Sequence, residues 1–208
     1  EAPRVRRFRL EQIREVLDQY PAVAGVSLDY VRWARDTCFC ERCREEFRAR
    51  TGKSLLALKE ATPEYWDWVG RRARAIEEFV AEARAIAQCR GRTLAAAVFP
   101  ASPECRVAYG QDWKRWMDVR LLDTISPMLF SADADEVRKR TTHYLQMGVA
   151  PACLAPWISK GPAEAVSTES LASRVAAVRE AGAGGVLIYR HSALTDEDFA
   201  VLNRACQT

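Results

Sequence analysis

The chain has 208 residues, 49% of them hydrophobic, which is enough for one domain with a substantial core. Its 31 basic and 28 acidic residues nearly balance, and no basic stripe with interleaved aromatics appears, so nucleic acid is not the expected partner. The longest apolar run, Leu94 to Phe99, falls far short of the ~20 residues that a membrane-crossing helix needs.

The elements follow in order. Leu10, Ile13, Val16 and Leu17 recur at helical spacing and predict a first helix over 5–20, stopped by Pro21. Arg4, Arg6, Arg7 and Arg9 form its solvated side. Val23 to Leu28 reads as a buried strand. A helix over 41–50 ends at Gly52. A long helix follows, with Thr62 as N-cap, Pro63 at its first position and an apolar face of Val69, Ala73, Ile76, Val80, Ala83 and Ala87. Strand 93–99 comes next, then helix 112–122, strand 124–129, helix 135–146, strand 151–157, helix 168–181, strand 185–189 and helix 196–205.

Strict alternation of strands and helices predicts an α/β fold with a parallel sheet. None of the five predicted strands runs into a G-x-G-x-x-G or P-loop turn, so no organic cofactor is expected and the doubly wound sheet loses its usual support. Polar and aromatic residues gather instead just after the strands, as at the C-terminal mouth of a (β/α)8 barrel. Asp29, Tyr30, Arg32 and Trp33 follow the first strand, and Ser102 and Glu104 the second. Met128, Phe130 and Ser131 lie at the third, Trp157 and Lys160 at the fourth, and Tyr189, Arg190 and His191 at the fifth. A whole barrel has about eight strands in ~250 residues. The expectation is a single partial barrel over 1–208, comprising strands 4–8, with its first three strands supplied by a missing N-terminal segment or by a partner chain. The chain opens on Glu1 rather than Met and shows no leader pattern, so it reads as cut or processed there, and its compartment stays open.

Several segments carry a resemblance. GVSLDYVR (25–32) is similar to the end of the fourth strand in glycoside-hydrolase-like TIM barrels, and APRVRRF (2–8) resembles the opening of their preceding helix. QDWKRW (111–116), DTISPM (123–128) and GAGGVLIY (182–189) resemble the sixth- and eighth-strand regions of the same barrels. The resemblance implies a barrel acting on a glycosidic bond.

Cys38, Cys40 and Cys43 put three thiols within six residues, inside a loop insertion expected over 36–62. Three thiolates suit a soft cation such as Zn²⁺ but leave a four-coordinate structural site one ligand short. The segment resembles the C-x-C-x-x-C-x-x-x-F stretch of glycoside hydrolase family 42, where a cysteine from an earlier loop completes a zinc site. Cys105 is the best local substitute for it. A disulfide plus a spare thiol, or a motif that has lost its metal, are the alternatives, since seven cysteines cannot all pair.

Glycoside hydrolysis uses two carboxyl groups facing each other across the bond. Asp29 is the first candidate, and an Asp29–Arg32 ion pair its structural alternative. The family 42 pattern expects a glutamate at the ends of strands four and seven. Here Asp29 stands at the first place and Trp157-Ile158-Ser159 carries no acid at the second, so that mechanism does not transfer. Of Glu104, Asp133, Asp135 and Glu164, Glu104 is the expected partner. Asp112, Asp133 and Asp135 suit helix starts. Tyr30, Arg32, Trp33, Trp157, Tyr189 and His191 are the candidate sugar contacts. Trp66, Trp68, Trp113 and Trp116 are expected to pack against the barrel, and His143 to lie on the surface. The expected function is glycoside hydrolysis of an oligo- or polysaccharide. The alternative is a carbohydrate-binding or scaffold barrel without catalysis.

Overall fold

The computed structural model describes residues 3–34, 38–100, 103–160 and 166–207. Ser102 and Glu164 lie outside them. The fold is α/β, with parallel strands and helices between them. It divides into two compact units: 1–94 with 101–121, and 95–100 with 122–208.

In the first unit, helix α1 (Pro3–Gln19) packs on helix α3 (Pro63–Gln88). Thr62 caps α3 by accepting from the Tyr65 N–H at 3.3 Å, and Pro63 supplies the preset φ of a first turn. The six residues of the expected apolar face of α3 are all buried. On α1, Leu10 and Leu17 are buried, but Val16 stays 43% exposed because it lines an open cleft. Strand β1 (Gly25–Leu28) runs beside the start of strand β2 (Thr93–Val98), where the Thr93 N–H donates to the Ala24 carbonyl at 3.0 Å. The approach is so close that a Cβ on Gly25 would sit 2.3 Å from the Thr93 carbonyl oxygen. Only glycine fits there.

The cysteine segment folds into helix α2 (Glu41–Thr51) and a short 3-10 turn (Leu55–Ala57), held by a core of Phe47, Leu55 and Trp68. Trp66 departs from expectation: it is half exposed, since its position on α3 lies off the buried stripe. The helix expected over 112–122 is shorter, α5 (Trp113–Asp118), and is preceded by α4 (Glu104–Tyr109). Asp112 does not cap α5 with its side chain; it pairs with Arg106 at 2.9 Å instead. Trp113 and Trp116 are fully buried.

In the second unit, β2 pairs parallel with strand β3 (Thr124–Pro127), from Ala95 opposite Thr124 to Val98 opposite Pro127. Strand β4 (Trp157–Ser159) pairs parallel with strand β5 (Leu187–Tyr189). Parallel bridges Ile125–Leu154 and Met128–Trp157 join β3 to the β4 segment. The expected strand over 151–157 is corrected: Pro151–Cys153 is a 3-10 turn, and pairing with β5 begins only at Trp157, after Pro156. Two prolines remove ladder donors at 151 and 156, so the apolar run cannot pair continuously.

Helices α6 (Ala134–Gln146), α7 (Thr168–Glu180) and α8 (Asp196–Gln207) pack in sequence order. They brace the C-terminal ends of the strands. The Tyr144 hydroxyl donates to the Pro100 carbonyl at 2.7 Å beyond β2. Arg174, fully buried on α7, donates to the Ser131 carbonyl at 3.0 Å and the Ser159 carbonyl at 2.9 Å. A buried guanidinium costs free energy unless its donors are met, and here carbonyls from two strand ends meet them.

Candidate functional site

In the first unit, β1 ends on buried Leu28 and the chain then turns outward at Asp29. The Asp29 Oδ1 accepts from the Tyr30 N–H at 2.7 Å. Tyr30 is left-handed, with φ 54°, and the residue is 74% exposed. A left-handed tyrosine costs about 1–2 kcal/mol, so the turn is held by its surroundings. Among them is the Arg32 N–H, which donates to the Tyr30 carbonyl at 2.8 Å.

The Arg32 guanidinium lies 4.5 Å from the Tyr30 ring centroid and 5.7 Å from that of Tyr109. Trp33 is anchored twice: its backbone N–H donates to the Tyr109 carbonyl at 2.9 Å and its indole N–H to the Arg72 carbonyl at 3.0 Å. Asp29, Tyr30, Arg32 and Trp33 share a cleft of about 750 Å³ whose walls include Ile13 and Val16 of α1 and Phe79 of α3. The structure therefore brings these four residues together. Glu104 is not among the residues lining the cleft; it is exposed, at the first position of α4.

In the second unit, Trp157 and Tyr189 lie near parallel, 6.0 Å between centroids and 17° apart. Phe130 lies on Tyr189 at 5.8 Å and 27°. Register explains the first pair: Ser159 faces Tyr189, so Trp157, two residues earlier, points to the same side of the sheet. Phe130 was absent from the predicted sugar contacts, although its place just beyond β3 is the same signal that singled out Trp157 and Tyr189. His191 is exposed, with its ring 5.7 Å from that of Phe199.

Lys160, expected at the mouth, is taken up structurally. Its Nζ donates to Asp198 Oδ1 at 2.8 Å, and both side chains are largely buried. Thr168 donates to the same oxygen at 2.8 Å, while Oδ2 accepts from the Thr195 N–H at 2.9 Å. Asp198 in turn gives its N–H to the Thr195 hydroxyl at 3.2 Å, a reciprocal cap at the start of α8. Burial opposes the charge on Asp198, but Lys160 and the Thr195 and Thr168 donors outweigh it and hold the carboxyl well below its usual range. The spacing of Thr195 and Asp198 was the sequence signal for this cap.

The sulfurs of Cys38, Cys40 and Cys43 lie within 4.8 Å of one another. A tetrahedral zinc with Zn–S of ~2.3 Å needs sulfurs about 3.8 Å apart, so a small contraction fits the triplet to that ion. The six described cysteines are free thiols, so the disulfide alternative is not seen among them. The Cys43 backbone N–H and the Cys38 and Cys43 thiols hold the exposed Cys40 thiol below its ordinary range. Burial, with help from its two neighbours, pushes Cys43 up to about 12. Cys105 is corrected as a fourth ligand: it is buried apart from the triplet, with its thiol on the Gln111 carbonyl at 3.0 Å. As the second residue of α4 it turns its sulfur into the core.

No protein-family model and no curated protein sequence matches the chain. Its likeness is to solved structures of TIM-barrel glycoside hydrolase domains. The PgaB (BpsB) glycoside hydrolase domain from Bordetella bronchiseptica superposes with TM-score 0.71 at 15% identity, over 99% of this chain. The chain spans 61% of the length of that domain. A class V chitinase from Pseudomonas fluorescens Pf-5 gives TM-score 0.61 at 11% identity, over 99% of this chain and 73% of that one. The catalytic domain of a β-amylase from Paenibacillus polymyxa gives 0.58 at 11%, over 94% and 66%. No helix among the described residues is long and apolar enough to cross a membrane.

Proposed function

We propose that the chain is part of a carbohydrate-active enzyme that hydrolyses a glycosidic bond of an oligo- or polysaccharide. The observation that carries this reading is an exposed carboxylate, Asp29, just beyond strand β1 and inside a cleft of about 750 Å³, in a fold shared with glycoside hydrolases. Catalytic groups of (β/α)8 barrels collect at strand C-termini.

In this reading β1 to β5 are barrel strands 4–8. Among the described residues β1 has a strand on one side only. Further βα units, from this polypeptide or a partner chain, would add to its other edge. Asp29 serves as nucleophile or stabilises the positive charge that develops at the anomeric carbon. Its hydrogen bond from the Tyr30 N–H keeps it aimed. Glu104, exposed at the start of α4 and outside the lining of this cleft, is the proposed general acid that protonates the leaving oxygen of a substrate reaching beyond the cleft. Tyr30, Arg32 and Trp33 contact sugar in the first unit, and Trp157, Tyr189 and His191 do so in the second, flat rings stacking on pyranose faces and polar tips meeting hydroxyls. Cys38, Cys40 and Cys43 would hold a Zn²⁺ that cross-links the insertion and takes no part in bond cleavage.

The test is turnover of a panel of chitin-derived and other oligosaccharides, followed by Asp29→Asn. A fall of at least about a hundredfold in kcat is expected. An active wild type with an equally active Asp29→Asn would sink the assignment. One observation favours a second reading, a carbohydrate-binding barrel without catalysis: Trp157-Ile158-Ser159 carries no acid at the end of β4, and Lys160 beyond it is committed to Asp198. Binding of the same glycans with no turnover would select it.

A further inference from the structure

Three thiolates leave a zinc site one ligand short, and Cys105, the cysteine expected to complete it, is buried elsewhere. The described residues offer another donor. Cys38 and Cys43 line a small cavity of about 120 Å³, and the carboxylate that lines it with them is Glu46. Cys43 and Glu46 stand three residues apart on α2, so they share one helix face, about 5–6 Å between Cβ atoms.

Glu46 is now held by Arg42 at 2.8 Å, with both side chains more than half exposed. An exposed, solvent-screened pair of this kind is weak, so the carboxylate can leave it cheaply. Glu46 lines that cavity beside Cys43, so turning away from Arg42 brings its carboxylate toward the triplet. Charge also suits the move. Zinc with three thiolates and a carboxylate carries a net charge of about −2. Arg50, Arg71 and Arg72 line the same cavity.

We propose that Glu46 is the fourth ligand of a Cys38–Cys40–Cys43 metal site. This inference rests on the reading of the triplet as a metal centre. It makes the insertion self-contained, needing no cysteine from any other loop.

The test uses the full chain, reduced, stripped of metal and titrated with Co²⁺. Wild type is expected to bind one ion per chain with sulfur-to-metal charge transfer and the intense visible bands of a tetrahedral site. E46Q is expected to bind at least about tenfold more weakly, with altered visible bands and unchanged thiolate charge transfer. E45Q, one residue away, serves as the control and keeps the wild-type spectrum. E46C is expected to add roughly a third to the charge-transfer intensity, as a fourth thiolate joins. Circular dichroism checks that each variant is folded. An E46Q protein with wild-type affinity and spectrum, or an E46C protein with no added intensity, overturns Glu46 as ligand while leaving a three-thiol metal site standing. A wild type that binds no Co²⁺ overturns both.

Discussion

Asp198→Ala tests how the C-terminal helix is tied to the sheet. The carboxylate is 0% exposed and meets Lys160, Thr168 and Thr195 in three directions. Removing one partner of a buried pair costs about 3–5 kcal/mol, because the other charge is left buried alone. Loss of the reciprocal cap adds about 1 kcal/mol. For a chain of this size a loss of about 4–6 kcal/mol corresponds to a Tm lower by about 8–24 °C. The assay is thermal and urea unfolding followed by circular dichroism, for Asp198→Ala, Lys160→Met and the double variant. The double variant is expected to lose less than the sum of the singles, since neither charge is then orphaned. The sign with pH is fixed by the direction of the shift. The folded carboxyl lies below its unfolded value of ~3.9, so its contribution is complete above that pH and is lost as pH falls toward the folded value. The gap between wild type and Asp198→Asn should therefore shrink by up to about 1.4 kcal/mol per pH unit below ~4. A single variant within about 1 kcal/mol of wild type would refute the reasoning, as would strictly additive losses.

Two other predictions follow from local geometry. Gly110 is left-handed at φ 67°, and an added Cβ would meet Trp33 Cδ1 at 2.8 Å and the Arg72 backbone at 3.2 Å. Gly110→Ala is therefore expected to cost about 2–3 kcal/mol in urea unfolding and to disturb Trp33 fluorescence, whereas a loss under 0.5 kcal/mol would contradict the packing. Thiol labelling of the metal-free chain at pH 8, read by mass spectrometry, should modify exposed Cys40 first. Cys105 should react only on unfolding, because burial pushes its thiol up to about 12.

Local signals were the legible ones. Thr62, Pro63 and the four-three spacing of Val69, Ala73 and Ile76 define α3 within a few turns, and α3 forms where they place it. The gathering of Asp29, Tyr30, Arg32 and Trp33 was legible because all four follow one strand. The β4 segment misled because apolar character cannot report the two lost donors of Pro151 and Pro156. The Lys160–Asp198 pair joins residues 38 positions apart, and no spacing rule reaches that far. Glu46, the proposed fourth ligand, carries no cysteine or histidine pattern, and it is the cavity shared with Cys38 and Cys43 that sets it beside them.

The choice between hydrolase and binding barrel turns on which charges at the strand ends remain available. Lys160 is neutralised by Asp198, and Arg174 is spent on strand-end carbonyls. Asp29 keeps an exposed carboxylate facing a cleft, where it accepts a hydrogen bond from the next backbone N–H. A second carboxyl group is then the deciding requirement, and Glu104 is the proposed one. If Glu104 is the general acid, Glu104→Gln should depend on the leaving group. Oligosaccharides, whose departing alcohol needs a proton, should lose at least about a hundredfold in kcat, while aryl glycosides with acidic phenols should lose far less. Asp29→Asn should slow both substrate types alike, since the group at the anomeric centre is needed whatever departs. Equal losses on both substrates for Glu104→Gln would remove it as the acid. That result would place the second carboxyl group elsewhere and leave Asp29 without the partner proposed for it.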